Sequence, residues 1–176
     1  MGLDNLRLFP RVLGGPLPIY CTWDVEDVIR KAFSYAFDAS MAHLPVGAIP
    51  RLAFRRIDDE PFDVLGQEVI PIPLRHARFQ VLGFRVGGMA YCTDVSEIPQ
   101  QSWPMLTDLD VLVIDALRPK PHPAHFSVDE AVEVIERVKP RKAYLTHMSH
   151  EMDYERINPT LPSGVEMAYD GLSFTF

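Results

Sequence analysis

The residues best suited to bind a metal ion follow apolar runs in this sequence. Asp94 comes after the run MAYC, the loop 118–125 follows DVLVIDA, and His147 follows KAYLT. His76 ends a fourth run, EVIPIPLR. Because side chains at strand ends in an α/β fold collect at one rim, we expect these groups to lie close together. Imidazole and carboxylate groups bind zinc and other divalent metals. The pattern therefore predicts a metal site with nitrogen and oxygen ligands.

Each of these residues also has a simple structural explanation. Asp94 could cap the turn that follows Thr93, and His76 could be a hydrogen-bonded residue at a strand end. His147 could be a polar loop residue. Their joint occurrence at strand ends, rather than any single residue, favours the functional interpretation.

The strongest structural pattern surrounds the loop 118–125. Residues 110–116 form a continuous apolar run that is typical of a fully buried strand. Ser127 and Glu130 have the spacing of a capping box and predict the start of a helix. Residues 142–146 are the next predicted strand. Strand, helix and strand in this order predict a βαβ crossover, with both strand ends side by side.

The other patterns predict a meander of strands and two hairpins. Apolar runs between residues 51 and 92 contain the pair Gly87-Gly88, and a second pair, Asp170-Gly171, separates VEMAY from LSFTF. A strand at 16–21 precedes a helix with Thr22 as its N-cap. The apolar face predicted for that helix contains Val25, Val28, Ile29, Ala32, Phe33 and Ala36.

Composition limits the classes of function. A chain of 176 residues with 47% hydrophobic content is long enough for one compact domain, which we expect to span residues 1–176. The net charge of −7 argues against an extended nucleic-acid surface or an acidic membrane as partner. Two cysteines, Cys21 and Cys92, suit a reducing cytosol. No apolar run approaches the roughly 18 to 20 residues that cross a membrane, so we expect a cytoplasmic protein.

Five segments carry a resemblance to a known family: GLDNLR, PLPIYCT, YCTDVSEIP, LDVLVIDALRPKPHPAHFS and YLTHMSHEMDY. The sequence resembles the metallo-β-lactamase-fold hydrolases over almost its whole length. Within them it is similar to the cyclic phosphodiesterases of phosphonate metabolism, of the phosphoribosyl 1,2-cyclic phosphate phosphodiesterase type, and to the long-form transfer-RNA 3′-processing nucleases. The resemblance implies an α/β fold (α+β in some schemes), a four-layered αββα sandwich with a dinuclear metal site on one rim.

The resemblance also implies roles for single residues. His76 matches a histidine on one metal, Asp94 the carboxylate that bridges both metals, and His147 the last histidine, on the second metal. His125 matches a catalytic histidine that is not a ligand and that would protonate the departing alkoxide or stabilise the pentacoordinate state. His122 is the alternative for that task.

The loop before His125 could also bind the substrate. His122 and Arg118 are the candidates, and Arg118 could hold a second phosphate, although a solvated basic loop explains it as well.

The activity that the resemblance implies is metal-dependent hydrolysis of a small, cyclic phosphodiester, with a phosphoribosyl cyclic phosphate as the first candidate. Two divalent metal ions, zinc or manganese with iron also open, would lower the pKa of a bridging water and neutralise the phosphate oxygens. A transfer-RNA 3′-processing endonuclease is a further alternative.

The family signature His-x-His-x-Asp-His does not occur in this sequence. Among the six histidines, only His122 with His125 and His147 with His150 lie close in sequence. In the family the signature directly precedes a segment like GLDNLR, so the sequence corresponds to the C-terminal two thirds of the family domain. A genuine start at Met1, a miscalled start and a fragment all fit this pattern.

A second functional hypothesis follows from the absence of this signature. The chain would then be a catalytically silent fragment or relic of the fold, with one weakly held metal ion or none. An uncovered sheet edge and apolar surface would favour association, so we expect a homodimer.

Overall fold

A computed structural model describes residues 2–176, which divide into two compact units with the boundary after Asp58. Each unit is described by itself below. The single domain expected over residues 1–176 stays a prediction. In the described part of the chain, no helix is long and apolar enough to cross a membrane.

The first unit contains a two-stranded parallel sheet. Its α-helices and strands are α1 (Phe9–Leu13), β1 (Leu17–Cys21), α2 (Trp23–Ala32) and β2 (Leu52–Arg56). Strand β1 pairs with β2, and three-ten helices lie at Gly2–Leu8, Ser34–Phe37 and Ala39–His43. Thr22 holds the predicted N-cap position of α2, but its side chain makes no capping hydrogen bond.

The apolar face predicted for α2 is only partly buried. Val25 and Val28 are 47% and 63% exposed, whereas the buried residue of the helix is Glu26. The Glu26 carboxylate accepts hydrogen bonds from Arg56 Nε at 2.8 Å and Arg30 Nε at 2.7 Å. These two guanidinium groups hold the pKa of Glu26 below its ordinary value. The prediction of a continuous apolar face is therefore wrong at these positions, because a paired carboxylate occupies the buried side.

The second unit is built on a seven-stranded mixed sheet. Its strands, in chain order and also in spatial order, are β3 (Phe62–Val64), β4 (Gln67–His76), β5 (Phe79–Val86), β6 (Met89–Cys92), β7 (Val111–Asp115), β8 (Lys142–Thr146) and β9 (Val165–Met167). Neighbours from β3 to β6 are antiparallel, and neighbours from β6 to β9 are parallel. The predicted meander is confirmed, including its turn at Gly87-Gly88, where Gly87 has a positive φ of 54°.

The predicted crossover joins β7 to β8 through α3 (Val128–Val138). All five residues of β7 are buried. Helix α3 begins at a complete capping box, in which Ser127 and Glu130 bond each other's backbone amides, and its buried side is formed by Ala131, Val134 and Ile135. That side packs on the core of the sheet, which includes Ile72, Leu74, Leu112, Ile114 and Leu145.

The hairpin predicted at Asp170-Gly171 is wrong. Strand β9 pairs in parallel with β8, and residues 172–176 form no strand. The turn itself is present, because Leu172 N donates to Tyr169 O at 3.0 Å. Beyond it, Phe174 stacks on Tyr144 with ring centroids 5.1 Å apart, so aromatic packing takes the place of strand pairing.

Four strand ends of this sheet point the same way. Because β6 to β9 are parallel, the residues that follow each of them meet along one edge, which we call the carboxyl edge. Strand β4 runs in the same direction and ends there too, since both β4 and β6 are antiparallel to β5. The short helix α4 (Tyr154–Ile157) lies in the segment between β8 and β9.

The capping box gives a stability prediction. Ser127→Ala removes the hydroxyl that accepts from Glu130 N, so it should lower the free energy of unfolding by about 1 kcal/mol. Urea unfolding followed by circular dichroism measures the change. Ser163→Ala, at an exposed position in the same unit, is the control, and equal unfolding midpoints for the two variants would contradict the prediction.

Candidate metal centre

Four histidines and two carboxylates meet at the carboxyl edge. They are His76, Asp94, Asp115, His122, His125 and His147. All belong to the second unit, so their arrangement is set within one compact body.

His76, at the end of β4, is held in one tautomer. Its Nδ1 lies 2.7 Å from the carbonyl oxygen of Ala124. Because a carbonyl oxygen can only accept a hydrogen bond, Nδ1 carries the proton and Nε2 keeps its lone pair. A histidine that donates its other N–H to a backbone carbonyl is the usual form of a metal-binding imidazole.

Asp94 and His147 share an uncommon backbone conformation. Both lie two residues or fewer beyond a parallel strand, with φ of 54° and 60°. Non-glycine residues adopt this left-handed region at a cost of roughly 1 kcal/mol or more, and such residues cluster at functional sites. His147 Nε2 lies 3.4 Å from Asp94 Oδ1. The two side chains that the sequence predicts as ligands are thus neighbours.

His125 is bonded to a buried carboxylate. Its Nδ1 lies 2.7 Å from Asp115 Oδ2, which also accepts from Val95 N at 2.9 Å. Asp115 is completely buried, and this burial raises the pKa of its carboxyl, although the hydrogen bonds from His125 and Val95 act in the opposite direction. His125 therefore presents Nε2 as its free nitrogen.

Sequence reasoning did not identify Asp115. The available signal was a carboxylate that ends an otherwise apolar, fully buried strand, since a buried carboxylate requires a partner.

The His125 ring lies at the centre of the histidine cluster. Its centroid is 4.5 Å from that of His76, 4.7 Å from that of His147 and 5.2 Å from that of His122. The structure thus brings together every predicted histidine of the site.

His122 and Arg118 have different surroundings in the loop before His125. His122 Nδ1 accepts from Ala124 N at 3.2 Å, which leaves Nε2 to carry the proton of the neutral ring. Burial, then the charges of Arg118 and His125, lower the pKa of His122. Arg118 donates to the carbonyl oxygens of Lys120 at 3.2 Å and Pro121 at 2.9 Å. Its guanidinium therefore braces the loop that carries both histidines.

The donor atoms at this edge fit a divalent metal ion. His76, Asp94 and His125 each place one donor atom within 4.8 Å of the others. Ligands bound at about 2.0 to 2.2 Å to one cation lie about 3 to 3.6 Å from each other, so the side chains would have to move closer together to hold a single ion. Imidazole nitrogen and carboxylate oxygen suit zinc, manganese and iron. The assignment of His147 as ligand and His125 as acid stays a prediction, because both rings lie near the Asp94 carboxylate.

Comparison with known proteins places this fold in a family. The sequence model described as "Beta-lactamase superfamily domain" matches residues 1–148.

The chain belongs to the beta-lactamase superfamily.

Solved structures with a similar fold agree with that assignment. A crystal structure described as a new diphosphatase from the PhnP family is 38% identical in sequence, with a TM-score of 0.88, and the alignment covers 99% of this chain and 66% of that one. Zinc-bound PqqB from Methylobacterium extorquens is 17% identical, with a TM-score of 0.71, and the alignment covers 99% of this chain and 66% of that one. The second similarity shows the fold alone. The predicted metallo-β-lactamase type of α/β fold and the resemblance to the phosphodiesterase branch are confirmed.

One curated relative is named as a transferase rather than as a hydrolase. An octanoyltransferase from Porphyromonas gingivalis is 30% identical over 174 residues, which are 97% of this chain and 34% of that protein. The chain thus spans about a third of that relative and 66% of the PhnP-family structure. The transferase name describes a much longer protein and does not extend to this superfamily domain.

The fit of the donor atoms gives a binding prediction. His76→Ala should weaken Zn²⁺ binding about tenfold or more, because it removes a nitrogen ligand whose orientation the chain fixes. Isothermal titration of the metal-free chain with Zn²⁺ measures the affinity. His43→Ala is the matched control, since His43 lies in the first unit and bonds Ser40 O. Unchanged affinity in His76→Ala would show that the metal binds elsewhere.

Proposed function

We propose that this chain carries catalytic machinery of a metal-dependent hydrolase that cleaves a small phosphodiester. The observation that carries the proposal is the position of His125. Its ring is adjacent to those of both His76 and His147, and its Nδ1 is bonded to buried Asp115. The 38% identity to a PhnP-family diphosphatase supports phosphoester chemistry at this site.

The metal-binding role is assigned to three side chains. His76 and His147 each offer a nitrogen, and the two oxygens of Asp94 allow it to serve two cations at once. A divalent ion bound there supplies positive charge for the phosphate oxygens and lowers the pKa of a water. Zinc or manganese fits this donor set.

His125 acts as the general acid. With Nδ1 held by Asp115, the ring can present a proton on Nε2 to the oxygen that leaves phosphorus. Asp115 orients the ring through this hydrogen bond. Asp115 is therefore a positioning residue, since it acts through His125.

His122 is assigned to substrate binding rather than to metal binding. The neutral ring carries its proton on Nε2 and can donate to a phosphate oxygen or to the leaving group beside His125. Arg118 acts through the loop, because two of its hydrogen bonds tie down the backbone around Lys120 and Pro121.

The substrate proposed first is a small cyclic phosphodiester, with phosphoribosyl cyclic phosphate as the initial compound to test. The net charge of −7 disfavours an extended nucleic-acid substrate such as transfer RNA. The alternative, a silent relative of the fold with an incomplete metal site, stays a prediction. The cytoplasmic location and the homodimer stay predictions.

The different roles proposed for His125 and His147 can be tested by replacing each residue in turn. His125→Ala should keep the bound metal and slow hydrolysis of bis(4-nitrophenyl) phosphate by about 10² to 10⁴, the usual contribution of a positioned acid. His147→Ala should lose metal instead. Metal analysis of the purified variants, together with turnover, gives both readouts. Loss of metal in His125→Ala and its retention in His147→Ala would reverse the assignment.

Asp115→Asn tests the positioning role. The amide keeps the shape of the side chain but removes the negative charge that stabilises protonated His125, so turnover should fall by about 10-fold or more while metal content is unchanged. The pH profile of turnover should change, because a neutral amide replaces the carboxylate that is bonded to His125 Nδ1. The proton NMR signal of His125 Nδ1–H should also move. Asp129→Asn, in the first turn of α3, is the control, and identical pH profiles for both variants would refute the role.

A further inference from the structure

A serine two positions after Asp94 is bonded to the strand end that carries His76. Ser96 N donates to Arg75 O at 2.7 Å, and Ala77 N donates to Ser96 Oγ at 3.0 Å. The Ser96 hydroxyl also donates to Arg75 O at 3.3 Å. Ser96 is therefore bonded to the backbone on both sides of His76.

The turn directly after His76 has an uncommon backbone conformation. Ala77 lies between β4 and β5 and has a positive φ of 51°, in the left-handed region that is unfavourable for a residue with a Cβ. Because the Ser96 hydroxyl accepts from the Ala77 amide, it stabilises this conformation. The direction in which the chain leaves β4 at His76 is therefore set in part by a side chain from the neighbouring segment.

The residue before Ser96 ties the same segment to the surroundings of His125. Val95 N donates to Asp115 Oδ2 at 2.9 Å, and Val95 O accepts from Phe126 N at 2.9 Å. Asp115 is bonded to His125 Nδ1, and Phe126 directly follows His125. The segment after β6 is thus bonded to the chain around two histidines of the site, and the Ser96 hydroxyl is its side-chain contact to β4.

We propose that Ser96 is a positioning residue of the metal centre, whose hydroxyl holds the backbone of His76 beside Asp94 so that both side chains can reach one cation. This role rests on the proposed metal binding by His76 and Asp94. A serine hydroxyl suits it, because one hydroxyl can accept from an amide and donate to a carbonyl at the same time. Partners that orient a metal ligand without touching the metal contribute about 10- to 100-fold to affinity.

A second serine on the same strand provides a matched comparison. Ser102 is completely buried, and its hydroxyl donates to Pro73 O in β4. Both serines therefore bond the backbone of β4, but Ser96 does so at the residues that flank His76 and Ser102 three residues earlier. A contribution to the stability of β4 alone should be at least as large for the buried Ser102.

Zn²⁺ affinity and stability of the two serine variants test the positioning role. In calorimetric titration of the metal-free 176-residue chain, Ser96→Ala should weaken Zn²⁺ binding about tenfold, and Ser102→Ala should leave it unchanged. Ser96→Thr keeps the hydroxyl and should restore the affinity. Urea unfolding of the same variants reports stability, and Ser102→Ala should lower the midpoint at least as much as Ser96→Ala.

Hydrogen exchange gives a local readout of the same contact. The Ala77 amide should exchange faster in Ser96→Ala, because it loses its acceptor, and should stay protected in Ser96→Thr and Ser102→Ala. Exchange of Ala77 that is equal in Ser96→Ala and the unsubstituted chain would overturn the role of the hydroxyl.

The outcomes separate this role from the proposed function. Unchanged Zn²⁺ affinity in Ser96→Ala, when His76→Ala weakens binding, would overturn the positioning role alone. An equal loss of affinity in Ser96→Ala and Ser102→Ala would also overturn it, since the effect would then be one of stability. Unchanged affinity in His76→Ala would overturn both. Weaker binding in Ser96→Ala, restored in Ser96→Thr, in a chain without turnover would support the positioning role and count against hydrolysis.

Discussion

The buried carboxylate of Asp115 is the group on which the arrangement of the site depends. It ends β7, accepts from the backbone after β6 through Val95 N, and holds His125 from the loop that follows. Three segments of the chain therefore meet on one oxygen atom. Its other oxygen, Oδ1, has no hydrogen-bond partner within residues 2–176. A buried, half-satisfied carboxylate is costly, and such a cost is typical of functional sites rather than of a core that has been optimised for stability.

Local sequence patterns predicted the elements that depend on neighbours in the chain. The capping box at Ser127 and the apolar run of β7 specify a helix and a buried strand within a few residues, and the short crossover then requires parallel strands. The convergence of His76, Asp94 and His147 follows from this topology, because strand direction alone decides which ends share an edge. The family resemblance, rather than periodicity, separated their individual roles.

Elements that depend on distant contacts were predicted poorly. The apolar spacing of α2 indicated a buried face, but the ion pair of Glu26 with Arg56, which is 30 residues away, places Glu26 rather than Val25 and Val28 on the buried side. The turn at Asp170-Gly171 looked like a hairpin, yet pairing of β9 with β8 and packing of Phe174 on Tyr144 give a different outcome. The role of Asp115 likewise depends on a histidine brought to it by the tertiary fold. The spacing of residues along the sequence gives no information about these long-range partners.

The hydrogen bond from His76 to the carbonyl of Ala124 has a mechanical consequence. One end of that contact is an imidazole on the sheet, and the other is the peptide unit directly before His125. The sheet and the loop are thereby coupled, so a displacement of the His76 imidazole also displaces the peptide unit before His125. In the proposed mechanism, metal binding by His76 and alignment of the acid His125 therefore depend on each other, and a substitution at either end of this hydrogen bond would alter both.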